Sequence, residues 1–150
     1  MIRKIRLTIA LIILVIQIFR PDKNISVSPS VNTIEEHYPV PKQIGTLLKS
    51  SCYDCHSNNT VYPWYSNVQP FAWWLSSHIT EGKQELNFDE FNSYDVKKKK
   101  HKLDEVVEMI EKNEMPLSSY TLIHKKAALS LRKKTRSSPG QKDLKLLLSN

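Results

Sequence analysis

Residues 52–56 read Cys-Tyr-Asp-Cys-His, and this stretch carries most of what the sequence indicates about the chain. C-x-x-C-H is the pattern by which haem is attached covalently in c-type cytochromes. Two thiols three residues apart can each form a thioether with a vinyl group of one porphyrin, and the histidine that follows can bind the iron. We therefore interpret Cys52, Cys55 and His56 as the attachment site of a single haem c, with His56 as the proximal ligand.

Two other interpretations of the cysteine pair stay open. A structural zinc site needs four nitrogen or sulfur ligands, and the chain has no cysteine besides these two. The remaining candidate ligands are His37, His78, His101 and His124, none of which forms an H-x3-5-H pair. A thioredoxin-like dithiol expects a βαβ context, and no alternation of strands and helices surrounds the motif. Haem attachment is the favoured interpretation.

The N-terminus has the layout of an export segment. Arg3, Lys4 and Arg6 precede the apolar run LTIALIILVIQIF at residues 7–19, which is typical of a secretory or anchor segment whose basic end stays cytoplasmic. The run is shorter than the roughly 20 residues that span a bilayer, but no A-x-A cleavage site follows it. We expect residues 1–20 to remain as a signal anchor, with residues 5–19 holding an exported domain on the periplasmic side of the inner membrane.

The rest of the chain divides into a tether and one small domain. Residues 21–41 are polar, contain four prolines and show no periodicity, which predicts a tether. Residues 42–150 show no alternating strand pattern, so we predict an all-α haem-binding domain. The expected helices cover 43–50, 68–81 with Gly82 as the stop, a short one capped by Asn87, one from Asp95 to about 113, and one from 118 to about 131.

Ten of the thirteen aromatic residues lie between Tyr53 and Tyr94. The cluster includes Trp64 and Trp74, which we expect to contribute to the wall of a haem pocket, although an ordinary aromatic core explains the same pattern.

The sixth iron ligand is expected from a loop. Met115 lies just past the predicted helix and precedes Pro116, which favours an extended backbone there, so Met115 is the preferred axial ligand. Met109 is expected to point away from the core. His78, one turn from Trp74, is the alternative ligand, and an open site is the third possibility. His101 is expected to be solvated, and His124 to serve packing or a haem propionate.

The residues around the motif resemble a known family. The stretch CYDCHSNNTVYPWYSNVQPFAWWLSSHITEGKQELNFDEF (residues 52–91) and EMPLSSYTLIHKKAAL (residues 114–129) are similar to the small haem-binding domain family of exported bacterial proteins, notably of Bacteroidetes. The resemblance covers about residues 38–131 and implies one covalent c-type haem on a scaffold similar to cytochrome c, with Met115 matching the family's E-M-P-L position. After Leu129 the chain departs from the family, whose members continue into an acidic helix that contains tryptophan.

Charge is unevenly distributed. Residues 1–95 contain 8 basic and 9 acidic residues, whereas residues 96–150 contain 14 and 6. The basic half is either a solvated face or a docking surface for an acidic redox partner or anionic lipid; nucleic acid is disfavoured for an exported domain.

Together these patterns predict a membrane-tethered monohaem cytochrome that transfers single electrons and is not an enzyme. A haem-based ligand or redox sensor is the alternative function.

Overall fold

The computed structural model describes residues 1–129, and the regular structure within them is helical. The α-helices are α1 (Ile2–Ile16), α2 (Ile34–His37), α3 (Lys42–Ser51), α4 (Tyr53–His56), α5 (Phe71–Glu85), α6 (Val96–Glu111) and α7 (Ser118–Ile123). Short 3₁₀ helices lie at Trp64–Asn67, Phe88–Ser93 and Lys125–Ala127. In this part of the chain the only strand-like pairing is a bridge between Ile25 and Asn59. The prediction of an all-α fold is therefore confirmed for the described residues.

Side-chain caps start three of these helices. The side chains of Thr33, Asn87 and Asp95 accept hydrogen bonds from the backbone N–H of Glu36, Asp89 and Lys98 respectively. Such caps satisfy N–H groups that have no partner inside the helix. The predicted starts at Asn87 and Asp95 are confirmed.

The predicted end of α5 at Gly82 is wrong, because the helix continues to Glu85. Gly82 does not end the helix but allows it to pack closely on α4. A Cβ at this position would lie 2.8 Å from the Cys55 carbonyl oxygen. Only glycine therefore lets α5 approach α4 so closely.

The apolar core consists of two clusters. The larger one combines α2, α3, the Phe88–Ser93 segment and α6 through Ile34, Ile44, Leu48, Leu86, Phe88, Phe91, Leu103 and Val107. The smaller one joins α5 to the segment before it through Tyr65, Leu75 and Ile79. Cys52 and Tyr53 pack on the larger cluster and Cys55 on the smaller, so the C-x-x-C-H motif lies where the two cores meet.

α1 contributes nothing to either cluster, since none of its residues is buried. Among residues 1–129 there is no helix that combines the length and the apolar character needed to cross a membrane.

Residues 21–41 were expected to form a tether, but from Asn24 onward this segment is bonded to the domain. Ser26 N–H donates to the Asn58 carbonyl and Thr60 N–H to the Asn24 carbonyl, both at 3.0 Å, and Ile34 is buried in the larger core. Most of these contacts are hydrogen bonds. They need no periodic pattern of apolar residues, so they could not be predicted from the sequence.

α7 ends at Ile123 instead of continuing to about residue 131. Ala127, which was expected on this helix, is buried from the following 3₁₀ turn. The divergent tail after Leu129 lies outside the described residues.

We expect Gly82→Ala to lower the free energy of unfolding by about 1–3 kcal/mol, because the added methyl group forces α5 away from α4. Urea unfolding measures the change. Gly45→Ala in α3 is the matched control: its Cβ would meet only Val40 Cγ1, at 3.9 Å. There the better helix propensity of alanine should stabilise the protein by up to about 1 kcal/mol. Equal effects of the two substitutions would contradict the close crossing.

Candidate functional site

The C-x-x-C-H motif forms one helical turn on the wall of a cavity. The N–H groups of Cys55 and His56 donate to the Cys52 carbonyl, at 3.1 and 2.9 Å. This turn brings Cys52, Cys55 and His56 to the same cavity, which has a volume of about 280 Å³. The sequence prediction that these three side chains act together is consistent with this placement.

His56 presents one ring nitrogen for coordination. Its Nδ1 lies 2.9 Å from the carbonyl oxygen of Leu86. Because a carbonyl can only accept, Nδ1 carries the proton and Nε2 keeps its lone pair. Burial lowers the pKa of His56, which favours the neutral ring that binds a metal. A backbone carbonyl that orients the imidazole in this way is the usual outer partner of a histidine ligand.

Both thiols are free and protonated at neutral pH. Burial, aided by the neighbouring Cys55, raises the pKa of Cys52 to about 12. Burial and then Asp54 raise the pKa of Cys55 to about 11. A reactive dithiol pair has the opposite property, a lowered thiol pKa. Within residues 1–129, no group of three or more His, Cys, Asp or Glu side chains is placed to hold a metal ion.

A second cavity of about 270 Å³ adjoins the first. Both are lined by Cys52, His56, Glu85, Met115 and Pro116. The wall of the second cavity is largely apolar and comes from Leu86, Phe88, Val106, Met109, Ile110 and Leu129. The two cavities are therefore lobes of one space around the motif.

Met115 lines both lobes and is partly exposed, as expected for a residue at the rim. The backbone N–H groups of Glu114 and Met115 donate to the Met109 carbonyl at 2.9 and 3.2 Å, and Asn113 adopts φ 62°. These features fold the loop back over the end of α6. The structure thus brings Met115 to the same cavity as Cys52, Cys55 and His56, and its role as an iron ligand stays a prediction.

Met109 was expected to point away from the core, and it belongs to neither core cluster of the described residues. It lines the apolar lobe instead, together with Val106 and Ile110. Leu103 and Val107 of the same helix enter the larger core, against which Val106 also packs. α6 therefore has a core face and a cavity face.

His78 reaches the first lobe, whereas the two tryptophans expected there line neither lobe. Trp74 lies behind His78: the rings are 4.5 Å apart, and His78 Nδ1 donates to the Trp74 carbonyl at 2.8 Å. Trp64 is 80% exposed. The predicted tryptophan wall is replaced by aliphatic side chains, Phe88 and methionine.

A latch that the sequence interpretation missed connects the motif to the chain after Met115. The hydroxyl of Tyr120 donates to Asp54 Oδ2, and Asp54 Oδ1 accepts from the Val61 N–H at 3.1 Å. Burial, followed by the hydrogen bond to Asp54, raises the pKa of Tyr120, so the phenol keeps its proton. We call the Asp54 and Tyr120 pair the latch.

His124 supports the latch from the side. Its ring stacks on Tyr120 with centroids 4.3 Å apart, and its Nε2 is 2.8 Å from the hydroxyl of Tyr65. The packing role expected for His124 is therefore present.

Lys102 is the cation closest to the apolar lobe. Although it belongs to the lysine-rich part of α6, its side chain is mostly covered and bridges Glu85 at 3.1 Å and Glu105 at 2.7 Å. His101 is exposed and pairs only with Glu105 of its own helix.

The donor set and the cavity suit a haem. Two reduced thiols, an imidazole with a free Nε2 and a thioether all line a space whose second lobe is apolar, as a porphyrin requires. Cys52, Cys55 and His56 would hold the group on one side, and Met115 belongs to the same cavity.

A comparison with protein families agrees with this chemistry. The family described as "Haem-binding domain" matches residues 11–138 of the chain. No significant match was found among curated proteins or solved structures.

We expect Tyr120→Phe to lower the free energy of unfolding by about 1–2 kcal/mol, since it leaves the Asp54 carboxylate without its phenol donor. Urea unfolding is the measurement. Leu122→Ala, at an exposed position of α7, should change stability by less than about 0.5 kcal/mol. In a double-mutant cycle with Asp54→Ala, a coupling free energy near zero would argue against the latch.

Proposed function

The chain belongs to the haem-binding domain family, and we propose that it is a c-type cytochrome that holds one haem covalently and passes single electrons outside the cytoplasm. The observation that carries this proposal is the one-turn motif, whose two free thiols and His56 line the same cavity. When bound, the haem supplies an iron that gains or loses one electron. The side chains of this chain attach the group, orient it and shield it from water.

Cys52 and Cys55 would attach the haem, each by adding its thiol across a vinyl group of the porphyrin to form a thioether. The hydrogen bond from His56 Nδ1 to the Leu86 carbonyl fixes the ring so that Nε2 is the coordinating atom. Gly82 keeps α5 against this turn, so the three groups are held by a rigid helix crossing and not by a mobile loop. Such preorganisation is what a haem site needs to control its electronic properties.

Met115 is the proposed sixth ligand, with His78 as the alternative. A thioether is a soft ligand that favours the reduced iron and raises the reduction potential. The apolar side chains of α6 keep water away from the same space. If His56 and Met115 both bound the haem iron, side chains would leave no room on it for a substrate, so we propose an electron carrier and not an enzyme.

The proposed location is the periplasmic side of the inner membrane, with α1 in the bilayer. The support is the row of exposed apolar side chains on α1, together with the basic residues at its start. Haem of the c type is attached outside the cytoplasm, so the domain must be exported.

An acidic redox partner is proposed to dock on α6. Lys97, Lys98 and Lys100 are exposed near the start of this helix, whose cavity-facing residues follow two to three turns later. Clustered positive charge raises the rate of encounter with an acidic partner, and added salt weakens the effect.

Cys55→Ala should strongly reduce covalent haem, because one of the two thioethers can no longer form. Haem staining after denaturing electrophoresis of chain matured in the periplasm measures the result. His78→Ala, which changes another side chain of the same lobe, is the control and should stain like the wild type. Absence of staining in the wild-type chain would refute covalent attachment.

Met115→Ala should abolish the weak far-red charge-transfer band of His/Met ligation in the oxidised protein and let the reduced protein bind carbon monoxide. Absorption spectra measure both effects. Met109→Ala removes the other methionine of the cavity and should keep the band. A band that survives Met115→Ala would contradict the ligand assignment, and carbon monoxide binding by the wild type would favour the sensor function instead.

A further inference from the structure

Four exposed aromatic residues lie close in the sequence to Gln69, where α1 meets the domain. Trp64, Phe71, Trp73 and Trp74 are 80%, 55%, 41% and 40% exposed, and all lie within five residues of Gln69 along the chain. Soluble monomers rarely leave so many large rings together in water. We call these four residues the aromatic patch.

Gln69 joins the aromatic patch to α1. Its backbone N–H donates to Gln17 Oε1 at 2.9 Å, its carbonyl accepts from Gln17 Nε2 at 3.3 Å, and its own Nε2 donates to the Phe19 carbonyl. Gln69 is only 3% exposed. The C-terminal end of α1 is therefore held against the start of α5.

A second set of bonds holds the chain seven residues further on. The N–H of Asn24 donates to the Tyr62 hydroxyl at 2.6 Å, and its Nδ2 donates to the Ser57 carbonyl at 2.8 Å. Lys83 Nζ donates to Asn24 Oδ1 at 2.6 Å. Because the short connection from Gln17 to Asn24 is fixed at both ends, the domain cannot move freely away from α1.

We propose that the aromatic patch sits in the headgroup interface of a lipid bilayer and is held there by the docking of Gln17 on Gln69. This inference rests on the proposed insertion of α1. The 15 residues of α1 extend roughly 22 Å at the helical rise, less than the ~30 Å of a hydrocarbon core. A bilayer that takes up α1 therefore reaches its docked end, where the exposed Ile18 and Phe19 continue the apolar surface. Tryptophan rings favour this interfacial depth.

The interfacial position of the aromatic patch would also orient the haem cavity relative to the bilayer. α5 begins in the aromatic patch at Phe71 and lines the cavity with His78, Gly82 and Glu85. At the helical rise, these residues lie within roughly 21 Å of Phe71 along the helix. The cavity is thus kept close to the bilayer surface, within reach of a redox partner embedded in the same membrane.

Photo-cross-linking to lipids tests the proposal. The full-length haem protein is reconstituted in phosphatidylcholine and phosphatidylglycerol vesicles that carry a photoreactive diazirine near either the headgroup end or the methyl end of an acyl chain, and the lipid adducts are located by peptide mass spectrometry. We expect the shallow diazirine to give at least about twofold more adducts on the aromatic patch than the deep one. Gln17→Ala should lose most of these shallow adducts, whereas Thr8→Ala, which removes a hydroxyl bonded within α1, should keep them.

Flotation and intact mass separate the possible failures. Wild-type protein that floats with the vesicles but gives no shallow adducts on the aromatic patch overturns the interfacial position of the patch while leaving the membrane attachment intact. Shallow adducts that are unchanged in Gln17→Ala overturn the role of the docking. Protein that does not float, or a mature chain that lacks residues 1–20, overturns the proposed insertion of α1 as well. Concentration-dependent dimers that bury the tryptophans without lipid would assign the patch to a second copy and overturn its interfacial position.

Discussion

The crossing of α4 over α5 is the contact on which the rest of the site depends. α4 is a single turn, too short to be stable as an isolated helix, so its conformation must come from its neighbours. Gly82 lets the two backbones approach closely, and Leu86, at the end of α5, offers a carbonyl that no residue of the helix can use. His56 takes that carbonyl as its acceptor. One crossing thus sets the positions of both thiols, the tautomer of the histidine and the floor of the cavity.

The motif also explains why the domain has two small cores in place of one. Each cluster buries few side chains, as expected for a chain of this size, and the cavity opens where they meet. An apolar cofactor bound there would extend both cores and cover the second face of α6. The latch closes the structure from the other side, because it ties the helix that follows the Met115 loop to the residue between the two cysteines. The proposed haem attachment, the proposed ligation by Met115 and the packing of the domain therefore depend on the same few contacts.

Short-range signals in the sequence were sufficient for the approximate positions of α3, α5 and α6 and for the caps at Asn87 and Asp95. α2 and α4, each a single turn, were not predicted. The errors concern information that is not local. Gly82 was interpreted as a helix stop, although its role depends on the distance to Cys55. The place of Met109 in the cavity wall depends on the loop that folds back over the end of α6. The latch joins residues 66 positions apart through polar atoms, and such pairs leave no periodic pattern. Trp64 and Trp74 were placed by composition alone, which does not say which way a ring points.

The segment between α1 and α2 connects α1 to the C-x-x-C-H motif. Its residues 24–26 pair with residues 58–60, the loop that directly follows the motif. Asn24 there also bonds Ser57, Thr60 and Tyr62. The Asn58 N–H is in turn held by the carboxylate of Asp89, which is itself buried. A flexible linker would let the domain diffuse around its anchor, whereas this arrangement transmits the position of α1 directly to the wall of the cavity. An electron carrier that serves membrane-bound partners gains from such rigidity, because electron transfer depends steeply on distance and the allowed orientations are few.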